Sequence, residues 1–206
     1  MNQPSLSSPG IRGPADHDIR DQIVAAANEH FSQYGYSKTT VSDLAKAIGF
    51  SKAYIYKFFD SKQAIGEAIC ANCLAEIVAA VEHAINVGGI SSTERFRRLV
   101  KTLITTGVSL FFNDRKLYDI AAFSASEGWP SSQVYDARIK RFVMQIVCDG
   151  RESGEFERKT PLDETVDSIH LTLRPFVNPL LLQYNLDFVD EAPTLTSNLI
   201  LRSLMP

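Results

Sequence analysis

SKAYIYKFFDSK, residues Ser51–Lys62, carries two tyrosines, two phenylalanines and three lysines in twelve positions. A helix immersed in a core holds fewer lysines, and a solvated one fewer large aromatics, so this stretch serves two environments at once. Ile55 and Phe59 lie four residues apart, on one helical face, where they can pack on Leu44 and Phe31. Lys52, Ala53, Tyr54, Tyr56 and Lys57 are left largely on the other side. Upstream, Thr40-Val-Ser-Asp43 has the form of a capping box, opening a short helix over Val41–Ile48 with Val41, Leu44, Ala45 and Ile48 as its apolar face. Gly49 ends that helix in a tight turn and Ser51 caps the next. A longer helix precedes both, with Ile19, Ile23, Ala26/Ala27, Phe31 and Tyr34 at helical spacing and Gly35 as a left-handed stop. Three helices in this order, the last two joined by a glycine turn, make a helix-turn-helix.

That arrangement gives the mixed stretch a purpose. An exposed helix start offering Ser51, Lys52, Ala53 and Tyr54 can enter a DNA major groove, where small side chains permit close approach and a lysine reaches guanine O6 and N7. Tyr56, Lys57 and Lys62 would flank it and bond phosphates, fixing register without reading sequence.

Charge follows the same division. The 206-residue chain has a net charge of −3, but residues 1–62 carry seven Lys/Arg against six Asp/Glu, and the remainder fourteen against eighteen. With 45% apolar residues it can bury a sizeable core. The longest uncharged apolar run, Thr102 to Asn113, is too short to cross a bilayer, and no apolar secretory stretch opens the chain, so the expectation is a cytoplasmic protein without a membrane partner. Three cysteines do not make a disulfide framework. Cys70 and Cys73 form a C-x-x-C pair, but with only His17, His30, His83 and His170, scattered along the chain, as further zinc ligands, the pair reads as structural thiols and no metal or cofactor is expected. No nucleophile–base order, phosphate loop or paired carboxylates stands out.

Residues Ile19 to Ile69 resemble the DNA-binding domain of the TetR family of bacterial transcriptional regulators. Gly35, Thr39, Thr40, Leu44, Ala45, Gly49, Ser51, Tyr56, Phe59, Ser61 and Lys62 stand in the family's register. The resemblance implies DNA contacts at Thr40, Ser51, Lys52, Ala53, Tyr54, Tyr56, Lys57 and Lys62. It departs at Phe58, where the family usually has His or Tyr; with no polar group, Phe58 is expected to pack against the fourth helix instead of touching phosphate.

Beyond Ser61 the pattern stays helical. Ile65, Ile69, Cys73, Ile77, Val81 and Ile85 mark a long helix up to Gly88-Gly89. Further helices are read over Thr93–Phe112, Leu117–Ser126 and Val134–Arg151, with Trp129-Pro130 as a loop. Another starts near Thr160 and is interrupted at Pro175 and Pro179, and a last one covers about Ala192–Leu204. The expectation is an all-α chain: a flexible arm over 1–17, a helix-turn-helix domain over 18–62, and a larger helical effector-binding and dimerisation domain over 63–206. In the family the larger domain takes a small-molecule effector. Phe111, Phe123, Trp129, His170 and Arg174 are the candidates here, with His170 and Arg174 four apart on one face and suited to an anion. For each aromatic the alternative is core packing, and for the His–Arg pair a salt bridge or dimer contact. The resulting expectation is a homodimeric repressor released from a pseudo-palindromic double-stranded operator by a small molecule. A regulator answering a protein partner is the alternative, predicting a solid C-terminal interior, and a helical small-molecule enzyme the remote one.

Overall fold

The computed structural model describes residues 14–113 and 117–206, with side chains from residue 17 onward. Every regular element among the described residues is a helix. Helices α1 (Pro14–Tyr34), α2 (Val41–Ile48) and α3 (Lys52–Ile55) form a head, and α4 (Lys62–Ile85) leads away from it. The body follows as α5 (Ser92–Val108, continued by a π-turn over Ser109–Asn113), α6 (Tyr118–Ser126), α7 (Pro130–Glu152) and α8 (Leu162–Val177). A short α9 (Pro179–Leu182) runs into a 3₁₀ turn over Gln183–Phe188, and α10 (Ala192–Ser203) closes the fold.

The head owes its shape to the caps. Thr40 Oγ1 accepts from the Asp43 N–H at 3.2 Å while the Asp43 carboxylate accepts from the Thr40 N–H at 2.9 Å, closing both ends of the capping box at the start of α2. Gly49, at φ 78°, turns the chain in the left-handed region that other residues avoid. Ile55 and Phe59 then drop into a core with Ile23, Phe31 and Leu44.

A second core fills the body, built on Phe96, Leu99 and Leu103 of α5 and Ile139, Val143 and Ile146 of α7. Helix α4 belongs to both. Its first turns give Ile65, Ile69 and Cys73 to the head, and Leu74, Ile77, Val81 and Ile85 go to the body. By length and a mean hydropathy of 1.7, α4 is the described helix that matches a bilayer span, which a search for uncharged runs overlooks because Glu67, Glu76 and Glu82 break the run. Its large apolar side chains are nevertheless packed inside protein.

Three expectations about boundaries change. The arm read over 1–17 is shorter, because α1 already begins at Pro14, and the rest of that call lies outside the described residues. Trp129-Pro130 is a helix start instead of a loop: proline occupies the first position of α7, where its missing N–H goes unneeded. Pro175 leaves α8 unbroken. The break comes at Asn178, held extended (φ −88°, ψ 119°) ahead of Pro179, with its side-chain oxygen accepting the Leu180 N–H at 2.9 Å.

Candidate nucleic-acid interface and effector cavity

Ser51 caps α3 by accepting the Tyr54 N–H at 3.1 Å, and this anchors a single helical turn whose outer side is unpartnered. Ser51, Lys52, Ala53, Tyr56 and Lys57 are exposed, as is Thr40 at the start of α2. Tyr54 differs. Its ring is half-buried between the edges of Phe50 and Phe58, with centroids at 5.1 and 5.4 Å, and Lys57 Nζ stands 5.4 Å above it. Phe58, expected to pack against the fourth helix, is half-buried on the head core and meets the Tyr54 ring of α3.

Lys62 has another occupation than the phosphate contact expected of it. Its ammonium donates to the Tyr36 carbonyl at 3.1 Å and the Thr39 carbonyl at 3.2 Å, and lies 4.4 Å from the centre of the Tyr36 ring. Burial holds its pKa below the ordinary lysine value. The turn between α1 and α2 leaves these carbonyls without helical partners, and a lysine in the first turn of α4 is close enough to satisfy them. Lys62 therefore ties α4 to the base of α2.

The effector candidates divide. Trp129 is 2% exposed, but in the head core: its ring meets Tyr36 edge-on at 5.7 Å and Phe123 at 5.6 Å. Gly66 makes room for it, since a Cβ there would stand 2.9 Å from the indole. Phe123 packs on Tyr36 at 5.2 Å, and Phe111 is buried in the body core. None of these three aromatics, expected at the effector site, lines the body cavity: Phe111 and Trp129 are buried in the two cores, and Phe123 is partly exposed beside Tyr36. His170 and Arg174 do, in a cavity of about 390 Å³ bounded by α6, α7, α8 and the start of α9. Across from them is Asp136, whose carboxylate lies 3.1 Å from His170 Nε2. The hydrogen bond from His170, followed by the charges of His170, Arg174 and Lys140, outweighs burial and holds the Asp136 carboxyl below the usual carboxylate range. His170 Nδ1 is buried without a hydrogen-bond partner. Asp136 and Gln133, which also face this cavity, went unread in the sequence, where nothing local links them to a helix over 30 positions away; Asn178, at the end of that helix four residues past Arg174, went unread as well.

Cys70 and Cys73 are both buried on α4. Burial pushes the Cys70 thiol up to about 11, which suppresses the reactive thiolate.

An exposed helix start on a capped helix-turn-helix, joined by one long helix to a hollow helical body, is the geometry on which the comparisons with known proteins bear. The family pattern described as bacterial regulatory proteins, tetR family, matches residues 23–69, and the tetracyclin repressor-like C-terminal domain matches residues 92–189. The chain belongs to the TetR family. It is a DNA-binding transcriptional regulator. The chain is 43% identical over 49 residues to IcaR, the negative regulator of the biofilm icaADBC operon in Staphylococcus aureus (strain Newman), a match that covers 24% of this chain and about a quarter (26%) of that relative's length. DhaR, a repressor from Mycobacterium sp. (strain GP1), is 19% identical over 189 residues, 90% of this chain and 93% of its own. Among solved TetR-like folds, FadR from Bacillus subtilis in complex with stearoyl-CoA superposes with a TM-score of 0.67 at 19% identity, over 89% of this chain and 98% of that one. Family and fold are those of regulators, which are not enzymes.

Proposed function

We propose that this TetR regulator is a cytoplasmic repressor, acts as a homodimer, and leaves a pseudo-palindromic operator when a small molecule fills the cavity between α6, α7 and α8. The observation that carries the reading is the cavity itself, about 390 Å³ with His170, Asp136 and Arg174 converging on it, where a regulator without a small-molecule effector would be packed solid. The dimer is supported by an unpartnered apolar face: Leu171 on α8 and Leu195 and Leu199 on α10 are each more than 60% exposed. Pairing α8 and α10 with their mates would bury that face in a four-helix contact and hold two recognition turns about one DNA turn, ~34–36 Å, apart. Within each head, Ser51, Lys52 and Ala53 approach base edges, Tyr54 presents its free edge, and Thr40, Tyr56 and Lys57 meet the backbone.

The test is selection of bound sequences from random duplex DNA, followed by a metabolite screen for release. A palindromic consensus and at least one compound that dissociates the complex are expected. Selection without any consensus, or release unaffected when Arg174 is changed to Ala, counts against it.

A further inference from the structure

The cavity is not the only hollow beside α7. On its other side a groove of about 940 Å³ runs between α4 and α7, from Glu67 past Ala68, Ala71, Ala75 and Ala79 to Glu82. The two hollows share Leu74 and Tyr135 as lining residues, each almost fully buried. The two hollows thus meet at one leucine and one tyrosine side chain. Both side chains belong to the body core, so joining the hollows requires each to move from its packed position.

The two sides differ in chemistry. The cavity of α6, α7 and α8 concentrates polar groups at its mouth, with Asp136 already engaged by His170 and Arg174 without an ion pair of 4 Å or less among the described residues. The groove is walled by alanines and by Val78 and Val134, Val134 being 69% exposed. Of its three rim arginines, Arg138 pairs with Glu82 at 2.9 Å and lies over Phe142, Arg20 donates to the Phe58 carbonyl and covers Phe59, and Arg141 stands exposed at the edge. A charged head is therefore best received at His170 and Arg174 and an apolar chain along the alanines of α4. Alanine at four successive turns of α4, where leucine would seal the helix pair, leaves a trough about 16 Å long at 1.5 Å per residue.

We propose that the effector is a long-chain amphiphile with a carboxylate head. The carboxylate pairs with Arg174 in the cavity of α6, α7 and α8, and the hydrocarbon chain displaces Leu74 and Tyr135 and lies in the alanine trough of α4. This rests on the reading of that cavity as the effector site and adds what fills it. The occupant of the trough is the chain of that ligand, because the two hollows abut and the trough along Ala68, Ala71, Ala75 and Ala79 is apolar, whereas His170 and Arg174 offer partners to a head. The chain enters between α4 and α7, so it shifts the helix that carries Lys62 and the head.

The experiment uses the full chain bound to its selected operator, titrated with hexanoate, decanoate and tetradecanoate and with the matching alcohols, following both ligand binding and DNA release. Binding is expected to tighten up to about fourfold per methylene, as for transfer of a methylene out of water. The carboxylates should bind at least tenfold tighter than the alcohols, an advantage lost in Arg174→Ala. Ala75→Phe, which fills the trough from an outward position on α4, should remove the gain from hexanoate to tetradecanoate. Binding that is absent, independent of chain length, or still length-dependent in Ala75→Phe overturns the assignment. If some other small molecule then releases the operator through Arg174, the effector site stands and only its ligand class falls. If carboxylates bind as described and leave operator affinity unchanged, the ligand class stands and the effector reading falls.

Discussion

Trp129 meets Tyr36 edge-on, 5.7 Å between ring centres, across the seam between head and body. The indole sits at the start of α7, in the same turn whose Gly128, Ser132 and Gln133 face the cavity of α6, α7 and α8. Tyr36 in turn offers its carbonyl to Lys62. The cavity wall and the first turn of α4 are thus joined through one ring contact and one hydrogen bond.

Removing that wedge should cost more than a surface change. Trp129→Ala empties a site closed by Gly66, Tyr36 and Phe123, and a loss of about 3–5 kcal/mol in urea unfolding is expected. Gly66→Ala should also destabilise, even though alanine favours a helix, because its methyl would meet the indole at 2.9 Å. A gain in stability for Gly66→Ala would show that the indole is loosely held.

Lys57 and Lys62 should separate in their dependence on salt. With two of its three ammonium donors held on carbonyls, Lys62 is turned away from phosphate, so Lys62→Ala should lower head stability and change the salt slope of DNA binding less than Lys57→Ala does. Lys57→Ala should reduce that slope by about one unit on every sequence. Lys52→Ala should instead alter which sequences are preferred. Binding isotherms at several salt concentrations, on operator and random duplexes, distinguish the three.

The apolar row on α8 and α10 predicts a change of assembly. Leu195→Glu combined with Leu199→Glu puts charge into the proposed four-helix contact, and monomers are expected by sedimentation, with helicity retained and operator affinity lost. Dimers that survive both substitutions would place the contact elsewhere.

Acid should loosen the start of α5. Glu155 accepts the Ser92 and Thr93 N–H groups at 2.9 and 3.0 Å; burial alone would raise its pKa, but these bonds prevail and lower it from 4.5. A lowered folded pKa means that the contribution is complete above about 4.5 and is lost as pH falls through the folded value. The stability difference between wild type and Glu155→Gln should accordingly be widest near neutrality and shrink below pH 4.5.

What could be read in the sequence was local. Thr40 and Asp43, Gly49 and Ser51 announce the head because caps and turns act over three or four positions, and the bounds of α2 follow from them. The roles of Lys62 and Trp129 are set by what the fold brings opposite them. Lys62 pairs with carbonyls more than twenty residues away, and Trp129 packs in the head although its sequence neighbours line a body cavity. A tryptophan in a turn between body helices carries no signal of which core will take it. His170 and Arg174 could be placed together because four residues span one helical turn, whereas Asp136 could not be joined to them before the helices were packed.

The central claim is that two heads, held at a fixed distance by the body, read successive major grooves. It is tested most directly by measuring affinity for the selected operator with its half-sites moved apart by about half a helical turn, ~5 base pairs. The expected result is a fall to the affinity of random DNA, a loss on the order of 10³-fold or more. Equal affinity for the altered spacing would contradict a rigidly paired reader.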